Sequence, residues 1–368
     1  MENSNLTYGF IGLGLIGGSI ARAIKNVYPG SRIIADDIDK NALQAASEDG
    51  VADEITEKID EHFSACQLIF LCAPVSCNDE NLVILKNYIS ADTLLTDVGS
   101  VKKDIHEHID ALGLSDQFIG GHPMAGSERI GYTNSKAKLL ENAYYILTPT
   151  KSVSMFKVAF LERLIKKIGA LPLVLSCQEH DYATAGISHL PHVISASLVN
   201  LVKSHDNENG IMKMIAAGGF KDITRISSSS PVMWEHICMT NTENILSLLN
   251  DYIKSLEDIR DKMKQKDAAE IKDFFTQARD YRESFIDASP GPIKKSYVFY
   301  VDIPDEPGAL ATIATLLAFR QISIKNIGIT HNREVAEGSL QIEVYEEEDI
   351  AKACDILSSK GYIVHVKR

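Results

Sequence analysis

The chain places Gly12-Leu13-Gly14-Leu15-Ile16-Gly17 directly after an apolar run at residues 8–11 and directly before an amphipathic segment at 19–26. A GxGxxG hexapeptide between a strand and a helix restricts the fold more than any other feature of the sequence. Gly12 permits the tight turn, Gly14 lets the backbone approach a pyrophosphate, and Gly17 lets the helix pack close to the strand. The first helical residues, Leu15 and Ile16, offer unpaired N–H groups to phosphate oxygens. A second strand candidate at 32–35 leads into Asp36 and Asp37. Asp37 lies 20 residues past Gly17, the spacing at which a carboxylate meets the adenosine ribose hydroxyls. Asp36 is adjacent and shares the candidacy. A carboxylate there repels a 2′-phosphate, so NAD is expected over NADP.

At 368 residues the chain is too long for one core, and about 150 residues per domain gives two to three. Residues 1–176 alternate apolar runs (8–11, 32–35, 68–72, 93–96, 117–119, 144–147, 171–175) with helical patterns. This predicts an α/β Rossmann-type dinucleotide-binding domain with a parallel sheet and right-handed crossovers. Residues 177–288 carry helical stretches at 181–203, 231–263 and 267–285 and no alternating strand. They predict an all-α substrate and dimerisation domain, whose apolar faces need each other or a second copy, hence a homodimer. Residues 289–296, Ser-Pro-Gly-Pro-Ile-Lys-Lys-Ser, read as a linker. Residues 297–368 show the order βαββαβ, a ferredoxin-like arrangement.

Composition narrows the partners. Thirty-seven basic against 50 acidic residues give a net charge of −13, which repels phosphate backbones and argues against nucleic acid. An anionic small substrate needs a local cationic pocket instead. No apolar run approaches the roughly 20 residues of a membrane span, so no membrane association is expected. The N-terminus does not read as a secretory signal, and the six cysteines form no CxxC pair. A reducing, cytoplasmic setting with free thiols follows.

Ligands of open α/β sheets sit beyond the carboxyl ends of the strands. Cys72-Ala73-Pro74, Asp97 to Lys102, and Gly120 to Glu128 fall there. Cys72, Ala73, Pro74 and Asp97 are expected at the cofactor. His122 sits between glycines and a proline, so little local structure buries it. It suits general-base work, its ordinary pKa being about 6.5. A backbone-satisfied loop histidine is the alternative. Ser100 or Glu128 would fix its tautomer, and Glu128 also stands as a substrate contact. In the helical region Asp181, His189 and His192 draw attention. The two histidines, at i and i+3, share a face, and Pro191 between them predicts a bend. Core packing is the alternative for both. They lack the companion ligands of a zinc site, so no metal is expected. Lys221 and Arg225, four apart after Gly218-Gly219, form a candidate carboxylate site or a solvated basic face. Trp234, the sole tryptophan, packs a core or shapes a pocket.

The segments GFIGLGLIGGSIA (9–21), DVGSVK (97–102), GGHPMAGSE (120–128), SHLPH (188–192) and GGFKDITRI (218–226) together resemble the prephenate dehydrogenase family, which includes prephenate, arogenate and cyclohexadienyl dehydrogenases. Residues 296–368 resemble an ACT domain, with Asp305-Glu-Pro-Gly308 as the matching turn. The resemblance implies NAD-dependent oxidative decarboxylation of prephenate to 4-hydroxyphenylpyruvate. It implies His122 as catalytic histidine, oriented near the nicotinamide by Ser100. It implies His192, Arg225 and Lys221 as substrate-carboxylate contacts. Asp181, His189, Glu128, Gly218 and Trp234 become further pocket positions, the tryptophan reaching across a dimer interface. Tyrosine or another amino acid is the implied effector of the ACT-like tail. The rivals are an arogenate dehydrogenase, a 3-hydroxy-acid dehydrogenase, in which GGHPMAGSE has no role, and a non-catalytic NAD-dependent sensor.

Titration with both dinucleotides checks the role of Asp37. NAD is expected to bind more tightly, and a preference for NADP removes Asp37 from the ribose.

Overall fold

The structure, a computed structural model, describes residues 6–126, 129–287, 297–304, 306–330 and 338–366. Glu128, Asp305 and the linker expected at 289–296 lie outside the described residues. Two compact units emerge, Met1–Ala268 and Ala269–Arg368.

The first unit begins with strands β1 (Thr7–Ile11), β2 (Arg32–Asp36), β3 (Glu54–Thr56), β4 (Leu68–Leu71), β5 (Leu94–Asp97), β6 (Phe118–Pro123), β7 (Tyr144–Pro149) and β8 (Leu171–Val174). They form one sheet in the order β3-β2-β1-β4-β5-β6-β7-β8. The first six strands have the order of a dinucleotide-binding sheet. The central strands are apolar throughout because both faces are covered. Along β4, Leu68 and Phe70 enter one core and Ile69 and Leu71 the other. Phe10 and Phe70 stack at 4.9 Å on the first of these faces. Helices Leu15–Val27, Lys40–Glu48 and Met155–Lys167 occupy the expected amphipathic segments.

Two features depart from the expected sheet. The three-residue β3 has no apolar run to announce it. And β7 runs antiparallel to β6, not parallel. A parallel return needs a crossover of a dozen or more residues, usually a helix. Between β6 and β7 the described chain forms only the short 3-10 turns Tyr132–Asn134 and Ala137–Leu140.

Beyond β8 the chain is helical. Cys177–Thr184 continues through a wide π turn, Ala185–His189, into Leu190–His205. Pro191 has no N–H to give to this region, and the wide turn lies immediately before it. The stretch expected as one helix at 231–263 is two, Pro231–Thr240 and Thr242–Gln265. They break at Asn241, whose side-chain amide bonds His189 and the Asp181 carbonyl. The run Cys177–His205 is long and apolar enough, by length and composition, to cross a membrane. Its buried His180 and Asp181, however, bond groups at the edge of the sheet, which ties it into the folded unit.

The second unit contains the helix Ala268–Asp287. It continues as β9 (Tyr297–Ile303), the helix Ala309–Phe319, β10 (Ile324–Thr330), β11 (Gly338–Val344), the helix Glu347–Ser359 and β12 (Val364–Val366). The antiparallel sheet has the order β10-β11-β9-β12. Phe299, Val301, Leu340 and Ile342 meet Ile313, Leu317 and Leu357 in its core.

A buried ion pair fixes the carboxyl ends of β5 and β6. The Lys102 side chain is 0% exposed and that of Asp97 2%. The Lys102 ammonium bonds the Asp97 carboxylate and donates to the Gly121 carbonyl at 2.7 Å. Asp97 in turn accepts from the amides of Gly99 at 2.9 Å and Gly121 at 3.0 Å. Gly121 must be glycine, since a Cβ there would lie 2.5 Å from the Asp97 carbonyl oxygen. Asp97, expected at the cofactor, therefore spends its carboxylate inside the fold. Removing one partner of such a pair strands a buried charge. Lys102→Met is expected to lower the unfolding free energy by about 3–5 kcal/mol, measured by urea unfolding. Unchanged stability would mean that the carboxylate finds another partner.

Candidate active site

The glycine turn and the tip of β2 meet as the spacing predicts. Gly12 has φ +90°, and a Cβ on it would lie 2.5 Å from the Ala73 nitrogen. The turn is thus pressed against Cys72-Ala73-Pro74 at the end of β4, and the Cys72 thiol packs against Gly17. Burial pushes that thiol well up, which makes it an inert packing group. A Cβ on Gly14 would meet nothing within 4 Å, so the backbone there borders open space before the helix that starts at Leu15. Asp37 accepts from the Leu13 amide at 2.5 Å and the Asp39 amide at 2.8 Å, which holds its carboxylate beside the turn. Burial, then Asp37 and Asp60, push the neighbouring Asp36 carboxyl up to about 6. These residues fit a dinucleotide: a close backbone approach, a helix N-terminus and a carboxylate at the second strand.

His122 lies near the end of β6, at the same edge of the sheet. Its Nδ1 is 2.8 Å from Nε2 of His180. Nδ1 of His180 is 2.7 Å from Oδ1 of Asp181. The Asp181 carboxylate also accepts from the amides of Lys102 at 2.8 Å and Lys103 at 2.9 Å. Those amides open the helix Lys103–Ala111, whose positive end favours the anion. Burial, then His180, Lys102 and His189, hold the His122 imidazole well below its usual range. The ring is therefore neutral at pH 7. Nε2 of His122 has no hydrogen-bond partner among the described residues, so it is the nitrogen left for a ligand. Ser100, an expected orienting partner, makes no hydrogen bond to His122 among the described residues, whereas His180 bonds its Nδ1. Asp181, expected in the substrate pocket, has both oxygens engaged and acts within the fold.

The paired histidines separate in role. His189 is 1% exposed, accepts from the Asn241 amide at 3.1 Å, and is pushed down to about 4, chiefly by burial. Its ring is thus a buried, neutral group held by Asn241. His192 donates from Nδ1 to the Ser188 carbonyl at 2.9 Å, leaving Nε2 free. Burial also lowers its pKa, so Nε2 meets a carboxylate as a donor only when that anion draws a proton onto the ring. Trp234 stacks on the His192 ring of its own chain at 3.7 Å, where the sequence had suggested a reach across an interface. The two rings line a cavity of about 750 Å³, walled also by Val193, Ile226, Pro231 and Cys238.

Lys221 lies on the helix Gly218–Thr224, and Arg225 begins the 3-10 turn Arg225–Ser228; both side chains are exposed. The Gly218-Gly219 pair opens that helix. Ser195, on the His192 helix, donates to the Ile223 carbonyl at 3.1 Å and bonds Ser227 at 2.6 Å, so the basic segment is anchored beside the cavity. Sequence reasoning missed His180. It stands next to Asp181 in the chain but 58 residues from His122, and no spacing rule links residues so far apart.

Residues 20–173 match the family model described as the prephenate dehydrogenase nucleotide-binding domain, and residues 176–277 match the prephenate dehydrogenase dimerization domain. The chain is 40% identical over 355 residues to the prephenate dehydrogenase of Bacillus subtilis (strain 168), covering 95% of each. Among solved structures it is similar to A. aeolicus prephenate dehydrogenase in complex with hydroxyphenyl propionate and NAD+. The TM-score is 0.73 and the identity 30%, over 77% of this chain and 100% of that one. It is also similar to Synechocystis arogenate dehydrogenase, with a TM-score of 0.70 and 28% identity over 76% of this chain and 100% of that one. With a dinucleotide turn and a held imidazole at one sheet edge, and with these matches spanning both the sheet and the helices that follow, the chain belongs to the prephenate dehydrogenase family.

Proposed function

We propose that the chain oxidises and decarboxylates prephenate to 4-hydroxyphenylpyruvate, with NAD as cofactor. The observation that carries this reading is the neutral His122 imidazole with its free Nε2, at the sheet edge that also carries the glycine turn. Gly12, Gly14, Gly17, Leu15 and Ile16 would hold the pyrophosphate, and Asp37 the ribose. NAD, when bound, supplies the hydride acceptor. His122 takes the proton of the ring hydroxyl, which weakens the neighbouring C–H bond as alkoxide character develops. Prephenate is a dianion, and Lys221, Arg225 and His192 are the groups of this chain suited to its carboxylates. The fork of Arg225 suits a carboxylate better than a point charge does. Loss of one carboxylate as CO2 weakens that hold and favours release.

The likeness to an arogenate dehydrogenase supports a second reading, in which arogenate is the substrate. The helical region bears exposed apolar side chains, among them Ile187, Met214 and Met239, which suit a homodimer. We read residues 297–366 as an ACT-type module that binds an amino acid effector, tyrosine first. Its sheet order and the left-handed Gly308 before its first helix support that reading. The six free thiols suit a reducing cytoplasm.

NADH appearance at 340 nm with prephenate, and with arogenate, tests the activity. Prephenate is expected to give the higher kcat/KM; no NADH with either substrate overturns the reading. His122→Asn is expected to lower kcat by about 10² to 10⁴ with little change in KM. The base works unprotonated and its pKa lies well below 6.5. In the wild type, kcat/KM should therefore stay level as the pH falls through 6.5 and drop only at more acid pH.

A further inference from the structure

The Asp181–His180–His122 chain has a fixed direction. Asp181 receives two backbone N–H groups, from Lys102 and Lys103, which have no alternative but to donate. A carboxylate so placed accepts only, so Nδ1 of His180 must donate to it. With one proton on each ring, Nε2 of His180 is bare and accepts from Nδ1 of His122. His122 is left with a proton on Nδ1 and a lone pair on Nε2. Each step follows from the one before, and the starting point is the start of a helix in another part of the unit. Sequestration reinforces the arrangement, since His180 is 0% exposed and Asp181 2%.

We infer that His180 and Asp181 are positioning residues for the proposed reaction: they hold His122 in the tautomer that can accept a proton at Nε2, and they receive its Nδ1 proton while it does so. The inference rests on the function proposed above. Two protons move when the substrate hydroxyl ionises. The substrate O–H breaks, an N–H forms at Nε2 of His122, and the proton on Nδ1 passes to Nε2 of His180. The positive charge comes to rest on His180 against the Asp181 carboxylate. Lys102 and His189 are the other cationic or titratable groups that face His122. After CO2 leaves, the ring oxygen takes a proton back and the relay returns to its starting state. The conversion of prephenate and NAD to hydroxyphenylpyruvate, CO2 and NADH releases no net proton. A buried chain that lends a proton site and returns it suits that balance, where an exit to solvent is not needed.

The test combines kinetics with a direct view of the rings. In His180→Ala, kcat with prephenate and NAD is expected to fall about 10- to 100-fold, KM for prephenate to change less than about threefold, and the acid limb of the kcat/KM profile to move. Imidazole added to this variant should restore part of the loss by filling the vacated position. In the wild-type chain labelled with 15N-histidine, and assigned with His122→Asn and His180→Ala, two-bond 1H–15N spectra should show both His122 and His180 protonated at Nδ1 and bare at Nε2. The inference falls if His122 carries its proton on Nε2. It also falls if His180→Ala keeps kcat within twofold, or if NAD-binding His180→Ala protein loses activity that imidazole does not restore. A wild-type chain that forms no NADH from prephenate would overturn the proposed function instead, and the ring spectra would still decide the tautomers.

Discussion

The Asp181 carboxylate joins two parts of the first unit that sequence keeps far apart. It sits at the start of the helical region, yet its oxygens bind the two amides that open the helix after β5. Those amides have no partner within their own helix, so a carboxylate from elsewhere completes them and gains from the helix dipole. The same oxygens hold His180, and through it the ring of His122. The Asp181 carbonyl is also used, by the Asn241 amide that reaches on to His189. One residue thereby sets how the helical region meets the sheet edge and how the candidate base is turned. Apolar packing brings the elements together, and this short list of charge-assisted bonds selects the register.

The second constraint is the buried pair Asp97–Lys102. Fully desolvated charges are tolerable only when every bonding capacity is met. Here the surplus donors and acceptors go to Gly99 and Gly121. Glycine at 120 and 121 is what allows β6 to fit, because a Cβ on Gly120 would lie 2.3 Å from the Thr148 hydroxyl of β7. The strand carrying His122 is therefore held closely between its two neighbours, by ladder bonds and by the Asp97 and Lys102 side chains. A base on so rigid a support needs only its ring orientation decided, and His180 decides it.

The glycine turn, Asp37 and most strands and helices were legible because their signals are local. Period, turn chemistry and a spacing of 20 residues act within one βαβ unit. The three-residue β3 carries too few apolar positions to register. The antiparallel β7 depends on what the connection lacks, a crossover helix, and a strand's own sequence does not state its direction. The site divides the same way. His122 was readable from its loop, while Ser100 was assigned a bond that His180 makes. His189 and His192, three apart, looked equivalent, yet Asn241 and burial take one into the core while Trp234 and the cavity receive the other. The break at Asn241 is not legible locally, and the side chain there is used in a bond to a residue 60 positions earlier.

The wide turn at Ala185–His189 has a geometric consequence. One extra residue in a helical turn advances everything downstream by ~100° about the axis. His180 and Asp181 precede that offset and His192 follows it, so a single continuous rod shows its upstream polar groups to the sheet and its downstream ring to Trp234. A chain shortened by one residue there, at Ala185 for example, would keep both histidines and the helical propensity of the segment. It would nevertheless swing the second ring off the indole, so the local residue count, and not only the residues themselves, holds the two ends of this helix in phase.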